Sequence, residues 1–87
     1  MEIEFDPAKE AANVARHGVS LVLGALVIPA AVVTFEDTRR DYGEARFNAY
    51  GRIRGVAFVC TYTLRGEAYR IISVRRASRK ERSAWLT

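Results

Sequence analysis

The start of the chain alternates apolar and acidic side chains and then changes to a helical pattern. Residues 2–6, EIEFD, alternate in the way that is typical of a short strand. Asp6 and Pro7 then form a helix start, because Asp can accept hydrogen bonds from free amides and Pro has no N–H to leave unpaired at the first helical position. The helix is expected to run to about His17 and to end at Gly18, a residue type that readily adopts the left-handed conformation.

The apolar segment that follows predicts a second helix and then a strand. Residues 20–28 begin at a capping residue type, Ser20, and are otherwise almost wholly apolar, so we expect a buried helix that Pro29 ends. Residues 31–37, AVVTFED, are rich in β-branched and aromatic side chains and predict a strand. The polar, Gly-containing residues 38–44 are expected to form a connection.

Three further strand patterns occur in the second half of the chain, at residues 45–53, 56–64 and 68–76. Gly55 and Gly66 lie between them, where tight hairpin turns need glycine. Consecutive hairpins of this kind predict an antiparallel meander.

The C-terminal residues predict one last helix. Ser78 is a capping residue type, helix formers follow it, and Trp85 and Leu86 are expected to fold back on the core. The element order is therefore βααββββα. We predict a single α+β domain over residues 1–87, an antiparallel sheet with the two N-terminal helices on one face and a C-terminal helix.

Residues 68–76 should present different side chains to the two faces of this sheet. Strict alternation places Arg70, Ile72 and Val74 on one face and Ile71, Ser73 and Arg75 on the other. If Ile72 and Val74 pack against the helices, Ser73 and Arg75 lie on the open face.

The charge of the chain is divided unevenly. Residues 1–44 carry four basic residues against eight carboxylates, whereas residues 45–87 carry ten against two. Twelve of the fourteen basic residues are arginine, whose planar guanidinium binds phosphate through two hydrogen bonds and stacks on bases. Two interpretations stay open at this point: a surface for a polyanion such as RNA, or a solvated basic surface without a partner.

Other features narrow the class of protein. The longest apolar run, residues 21–33, is shorter than a membrane-spanning helix and contains Pro29, and the acidic start MEIEFD is unlike a secretory signal. We therefore expect a cytoplasmic protein without a membrane partner. Cys60 is the only cysteine, so an internal disulfide is impossible and a small buried hydrophobe is expected. No metal-ligand, phosphate-loop or nucleotide motif is present, and we expect neither metal nor cofactor.

Five features resemble, in order and spacing, the BrnT toxins: ARHGV at 15–19, DYGEAR at 41–46, Gly51, YTLRGE at 62–67 and RIISVRRASRKE at 70–81. The opening FDPAKEAAN at 5–13 also resembles the start of that family. The resemblance implies the toxin of a type II toxin–antitoxin pair, with a fold similar to RelE and ParE. It also implies a metal-independent ribonuclease that arrests translation and is neutralised by a BrnA-like antitoxin in an oligomeric complex. Operator DNA would be bound only through the antitoxin.

Metal-free RNA cleavage needs a base for the 2′-hydroxyl, cations for the phosphate and an acid for the leaving oxygen. His17 is the only histidine and has the side-chain type suited to proton transfer near neutral pH, although capping of carbonyls is the simpler and favoured explanation of its place at a helix end. Arg75 and Arg46 are candidate phosphate clamps. The remaining catalytic candidates are Tyr62, expected on the open face with Arg46, and Glu44, Lys9 and Glu81.

A second group of basic residues is expected to hold the RNA backbone rather than to act in the chemistry: Arg70, Arg76, Arg79, Lys80 and Arg82. For all of these residues a solvated surface role is the simpler alternative. The corresponding alternative for the whole protein is a non-catalytic module that binds nucleic acid or an antitoxin.

Overall fold

The structure is a computed structural model that describes residues 1–87. It has the predicted element order, and the α+β class is confirmed. The elements are β1 (Glu2–Glu4), α1 (Pro7–His17), a 3₁₀ turn (Leu21–Leu23), α2 (Gly24–Ala30), β2 (Ala31–Glu36), β3 (Phe47–Ile53), β4 (Val56–Arg65), β5 (Ala68–Arg76) and α3 (Arg79–Trp85).

The five strands form one sheet in the order β1-β5-β4-β3-β2. β2 to β5 form the predicted antiparallel meander, but β1 pairs with β5 in parallel, so the sheet is mixed. The parallel pair arises because β1 reaches the sheet edge from the far end of the chain and α1 then carries the chain away, without a hairpin. β1 covers only the first part of β5, from Ala68 to Arg70.

Both ends of α1 have the predicted chemistry. The Asp6 carboxylate accepts a hydrogen bond from the Ala8 amide at 2.7 Å, and Pro7 occupies the first turn. Gly18 has a φ of 69° and donates its N–H to the Val14 carbonyl at 2.8 Å, which ends the helix.

The segment after α1 is helical, but only one of its faces is buried. Leu21 and Val27 are fully buried, whereas Val22 and Leu26 are 53% and 55% exposed. The expectation of a wholly buried helix is therefore wrong, because the sheet covers only one side of it. Pro29 also lies inside the last turn, and α2 ends at Ala30.

The main core lies between the sheet and the N-terminal helices, with Leu21, Val27, Cys60, Ile71 and Val74 at its centre. Burial raises the pKa of the Cys60 thiol to about 12, since a thiolate there would lose its hydration, and Cys60 is the predicted small hydrophobe. A second cluster lies on the other face beneath the C-terminal residues: Tyr50, Ala57, Val59, Ala77 and Leu86. We call this second face the open face, because α3 covers only part of it.

A bulge in β5 decides which side chains reach the open face. Thr61 pairs with Ser73 and Tyr62 with Ile71, so Ile72 is left without a partner. Strict alternation predicts Ile72 in the core and Ile71 on the open face, and both predictions are wrong, because Ile71 and Val74 are the fully buried residues. Ser73 does lie on the open face, as expected. Arg70 joins it there.

No single helix of the chain is long and apolar enough to cross a membrane. The helical segments Pro7–His17 and Leu21–Ala30 meet that criterion only together, as a pair bent by 95°.

Candidate functional site

A polar hollow of about 400 Å³ lies on the open face, between the C-terminal half of β5, the strand β3 and the connection after β2. We call it the arginine hollow. It is lined by Glu36, Asp37, Thr38, Arg39, Asn48, Tyr50, Thr61, Ser73, Arg75 and Glu81.

Arg75 lies in this hollow in a two-pronged ion pair with Glu81. Its Nη1 and Nη2 each donate to one carboxylate oxygen of Glu81 at 2.8 Å, and Nη1 also donates to the Arg76 carbonyl at 3.3 Å. A guanidinium has five N–H donors in a planar fork. The edge formed by Nε and the second hydrogen of Nη2 therefore has no partner, and the side chain is 37% exposed. This free edge can bind a phosphate while Glu81 stays in place.

Glu81 is held in turn by the start of α3. It forms a capping box with Ser78, in which the Ser78 hydroxyl accepts from the Glu81 amide and the Glu81 carboxylate accepts from the Ser78 amide. The hydrogen bonds from Arg75, and then those from Ser78, lower the pKa of Glu81 to about 2. Glu81 is thus ionised near neutral pH and is a poor proton carrier there. This differs from the acid–base role expected from the sequence, and its position fits orientation of Arg75.

Arg39 is the second cation of the arginine hollow, and sequence reasoning missed it. Its Nε and Nη2 donate to the two oxygens of Asp37 at 2.9 and 2.7 Å, and the Tyr42 hydroxyl donates to Asp37 at 3.0 Å. These donors, Arg39 foremost, hold the pKa of the almost fully buried Asp37 carboxyl well below its usual range. Arg39 is itself 81% exposed, so the rest of its guanidinium faces solvent.

The tyrosine that lines the hollow is Tyr50, which sequence reasoning also missed. Burial raises the pKa of its phenol, so the hydroxyl stays protonated near neutral pH and is available as a hydrogen-bond donor. The alternation of Asn48, Tyr50 and Arg52 along β3 was the available signal. The position of Tyr50 near Arg75 follows only from the register of the strands, in which Tyr50 of β3 pairs with Val59 of β4 and Val59 pairs with Arg75 of β5.

Tyr62, the predicted site tyrosine, lies on the opposite face of the sheet. It is buried in the main core, with ring centroids 5.5 Å from Phe47 and 5.3 Å from Tyr69. Its expected position on the open face is wrong, because Tyr62 pairs with Phe47 and Ile71, which face the helices.

A second hollow, of about 250 Å³, lies between α1 and β5. We call it the basic hollow, because its lining includes Lys9, Arg16 and His17 and no carboxylate. Neither Lys9 nor Arg16 forms an ion pair. Ser73 lines both hollows, so the basic hollow and the arginine hollow adjoin at this residue.

His17 faces this second hollow rather than its own helix end. The imidazole makes no hydrogen bond to the last carbonyls of α1, and Gly18 supplies the cap instead. The interpretation of His17 as a residue that caps the carbonyls of α1 is therefore wrong. His17 and Lys9 share one face of α1 because they are eight residues, or about two turns, apart.

Arg46 and Glu44 lie beside the arginine hollow and do not line it. Arg46 donates to Glu44 at 3.3 Å, and its guanidinium lies 4.2 Å from the centroid of the Tyr42 ring. Since Tyr42 donates to Asp37, the Arg46 side chain is linked to the Asp37–Arg39 pair through Tyr42, and the Arg46 carbonyl accepts a hydrogen bond from the Asp37 amide at 2.7 Å.

The five residues predicted to bind the RNA backbone differ in their surroundings. Arg70 lies 3.6 Å from Glu4 of β1 in an ion pair. The others are exposed and have no carboxylate partner: Arg76, Arg79, Lys80 and Arg82. No group of three or more His, Cys, Asp or Glu side chains is arranged to hold a metal ion.

The pKa of Glu81 leads to a prediction about stability. Because its folded pKa is lowered from 4.5 to about 2, Glu81 stabilises the fold above about pH 4.5, and this contribution is lost as the pH falls towards 2. Glu81→Gln should lower the free energy of unfolding by about 1–2 kcal/mol near neutral pH and by less at about pH 2 to 3. Thermal melts over a pH series measure this. Glu67→Gln, which changes an exposed carboxylate without an ion pair, is the control. Equal losses at both ends of the series would show that the Arg75–Glu81 pair is not the cause.

This small α+β domain has cations around two adjoining hollows on a sheet, an arrangement that can bind an anion. The model of the BrnT family, described as the ribonuclease toxin of a type II toxin–antitoxin system, matches residues 5–81. The chain belongs to this family, and it is thus a ribonuclease toxin whose partner is an antitoxin. None of the curated proteins compared with the sequence matches it.

Proposed function

We propose that the protein is a metal-independent endoribonuclease that holds an RNA phosphate at Ser73, between the basic hollow and the arginine hollow. The observation that supports this most directly is the unpartnered edge of Arg75, whose side chain is oriented by Glu81, lines the hollow and is 37% exposed. An arginine fixed in this way stabilises charge that develops on phosphate oxygens and does not give up its own proton.

In the proposed reaction the 2′-oxygen of one nucleotide attacks its own 3′-phosphate. A bond from the 2′-oxygen to phosphorus forms, and the bond from phosphorus to the 5′-oxygen of the next nucleotide breaks. The proton of the 2′-hydroxyl passes to a base, and the 5′-oxygen receives a proton from an acid. The products are a 2′,3′-cyclic phosphate and a 5′-hydroxyl.

The residues around Ser73 supply groups for these steps. His17, whose side chain makes no hydrogen bond, transfers a proton, and Lys9 in the same hollow offsets the phosphate charge. Arg75 and Arg39 bind phosphate oxygens from the other side, and the Tyr50 hydroxyl donates a hydrogen bond. Glu81 positions Arg75. Arg46 and Glu44 support the Asp37–Arg39 pair through Tyr42. Tyr62 has only a packing role.

The proposal extends to the partners. The antitoxin is of the BrnA-like kind, operator DNA is bound only through it, and the toxin–antitoxin complex is oligomeric and cytoplasmic. Membership in a family of type II toxins supports these points.

The test uses purified protein and single-stranded RNA in excess EDTA. We expect cleavage to proceed, to yield 2′,3′-cyclic phosphate ends and to stop when antitoxin is added. His17→Ala should slow cleavage about 100-fold or more, because general acid–base groups contribute about that much. Val14→Ala is the matched control, since it truncates an exposed side chain of α1 that lies outside both hollows.

Three results would contradict the proposal: cleavage that requires a divalent cation, products with 5′-phosphate ends, or a His17→Ala rate equal to that of the wild type. Absence of cleavage with and without ribosomes, combined with retained RNA affinity, would favour the binding module instead. The observation that favours the binding module is that both arginines of the arginine hollow, Arg39 and Arg75, already have carboxylate partners.

A further inference from the structure

Two aromatic side chains are exposed on the open face beside the arginine hollow. Phe35 of β2 is 40% exposed and Trp85 of α3 is 44% exposed. Their ring centroids are 4.7 Å apart, and the ring planes are inclined by 59°. Large aromatic residues usually bury most of their surface. Two aromatic side chains that contact each other and each leave about two fifths of their surface exposed therefore indicate a binding surface.

The pair adjoins the arginine hollow through Tyr50. The Tyr50 ring lies 6.1 Å from Phe35 and 6.4 Å from Trp85, measured between centroids. Tyr50 also lines the hollow together with Arg75. A ligand bound at Arg75 therefore has this aromatic surface next to it.

A second arginine, Arg52, lies on the other side of the Phe35–Trp85 pair. Trp85 borders a groove of about 450 Å³ that also contains Arg52. Arg52 donates to the carbonyls of Leu86, at 2.7 Å, and Gly55, at 3.2 Å, and it has no carboxylate partner. Its charge is therefore not neutralised by the protein. The open face thus has an arginine, an aromatic pair and a second arginine in succession.

We propose that Phe35 and Trp85 stack on an unpaired base of single-stranded RNA, with the flanking phosphates bound by Arg75 on one side and Arg52 on the other. This rests on the proposed function, since it assigns a subsite to the same substrate. The succession of cation, aromatic pair and cation matches the phosphate, base and phosphate of one nucleotide step, and this match favours RNA over a peptide segment. Stacking on aromatic rings accepts any base, so the subsite adds affinity without a strict sequence preference.

Trp85 is the only tryptophan, so its fluorescence reports on this subsite alone. The probe is a single-stranded RNA of about eight nucleotides with 2′-O-methyl riboses, which cannot be cleaved through the 2′-oxygen. We expect binding, followed by anisotropy of a label on the RNA, to be accompanied by quenching of the Trp85 emission. An otherwise identical probe with abasic positions should bind about tenfold more weakly and leave the emission unchanged.

Two variants separate stacking from packing. Phe35→Leu keeps an apolar side chain and the Trp85 reporter, and Trp85→Leu is followed by anisotropy alone. Each should raise the Kd about tenfold, because stacking on an aromatic ring contributes about that much per base. Leu26→Ala is the control, since it removes a side chain of similar exposure from α2, on the opposite side of the sheet, and should leave the Kd unchanged. Thermal melts confirm that every variant is folded.

The outcomes distinguish this inference from the proposed function. Cleavage of ordinary RNA together with an unchanged Trp85 emission and unaltered Kd values in both leucine variants would refute stacking and leave the ribonuclease intact. Quenching without any cleavage would retain the subsite and refute the catalytic proposal. If the RNA probe leaves the emission unchanged and the antitoxin quenches it, the aromatic pair belongs to the antitoxin interface and the inference is wrong.

Discussion

Arg75→Ala is expected to slow RNA cleavage about 100- to 1000-fold, or on the order of 3 kcal/mol, and to weaken RNA binding by a much smaller factor. The reason is the geometry of the guanidinium. Glu81 and the Arg76 carbonyl accept from Nη1 and from one hydrogen of Nη2, so the edge formed by Nε and the second hydrogen of Nη2 has no partner, in a side chain that lines the hollow. A phosphate gains negative charge on its oxygens in the transition state, so this edge binds it most strongly there. Cleavage rate and Kd are to be measured separately over a salt series.

Arg75→Lys is the sharper companion variant. It keeps the charge and an ion pair with Glu81, but a lysine has no planar fork with which to hold Glu81 and phosphate together. We therefore expect a rate close to that of Arg75→Ala, with a melting temperature closer to that of the wild type. A rate for Arg75→Lys near that of the wild type would show that positive charge alone suffices and that the free edge is not the catalytic feature.

Arg79→Ala and Lys80→Ala supply the contrast, because both residues are exposed and have no carboxylate partner. Each should weaken the binding of all RNA sequences and reduce the salt dependence of binding by about one charge. Their cleavage rates at saturating RNA should stay near the wild-type rate. If Arg75→Ala behaves in this way too, Arg75 is a backbone contact, and His17 becomes the principal candidate for the chemistry.

The sequence predicted the fold well because local signals and the hydrophobic pattern agree along most of the chain. Asp6, Pro7 and Gly18 mark the ends of α1, and Gly55 and Gly66 mark the two hairpins. The parallel pairing of β1 could not be predicted in this way, because it joins residues from opposite ends of the chain and no local turn determines it.

The candidate site was harder to predict because it depends on register. The bulge at Ile72 reverses the face of the residues on one side of it, and no residue type in RIISV signals a bulge. Tyr62 and Tyr50 both occur in alternating strand patterns. Only the pairing of β3 with β4 shows that Tyr62 faces the helices and Tyr50 faces Arg75. Arg39 was missed because it lies in a polar connection, where its ion pair with Asp37 leaves no periodic signal.

The position of α1 depends on one buried polar side chain, Asn13, which is 5% exposed. Its Nδ2 donates to the carbonyls of Val19 and Val74, each at 2.8 Å, and its Oδ1 accepts from the Val74 amide at 3.2 Å. Val74 lies in the part of β5 that β1 does not cover, so the amide group of Asn13 satisfies backbone groups that a neighbouring strand would otherwise pair. It thereby holds the helix that carries Lys9 and His17 against the strand that carries Ser73.

Asn13→Ala should therefore lower the free energy of unfolding by about 2–4 kcal/mol, because it leaves a buried N–H and two carbonyls without partners. Asn13→Asp should cost a similar amount, since a carboxylate cannot donate to the two carbonyls and its charge would be buried beside them. Asn48→Ala is the matched control, as Asn48 only accepts one bond from Thr61, and it should cost about 1 kcal/mol or less. Denaturant unfolding of the three variants measures these differences. If Asn13→Ala proves as mild as Asn48→Ala, the packing of α1 on the sheet is sufficient to place the basic hollow, and Asn13 is not the residue that connects the two halves of the site.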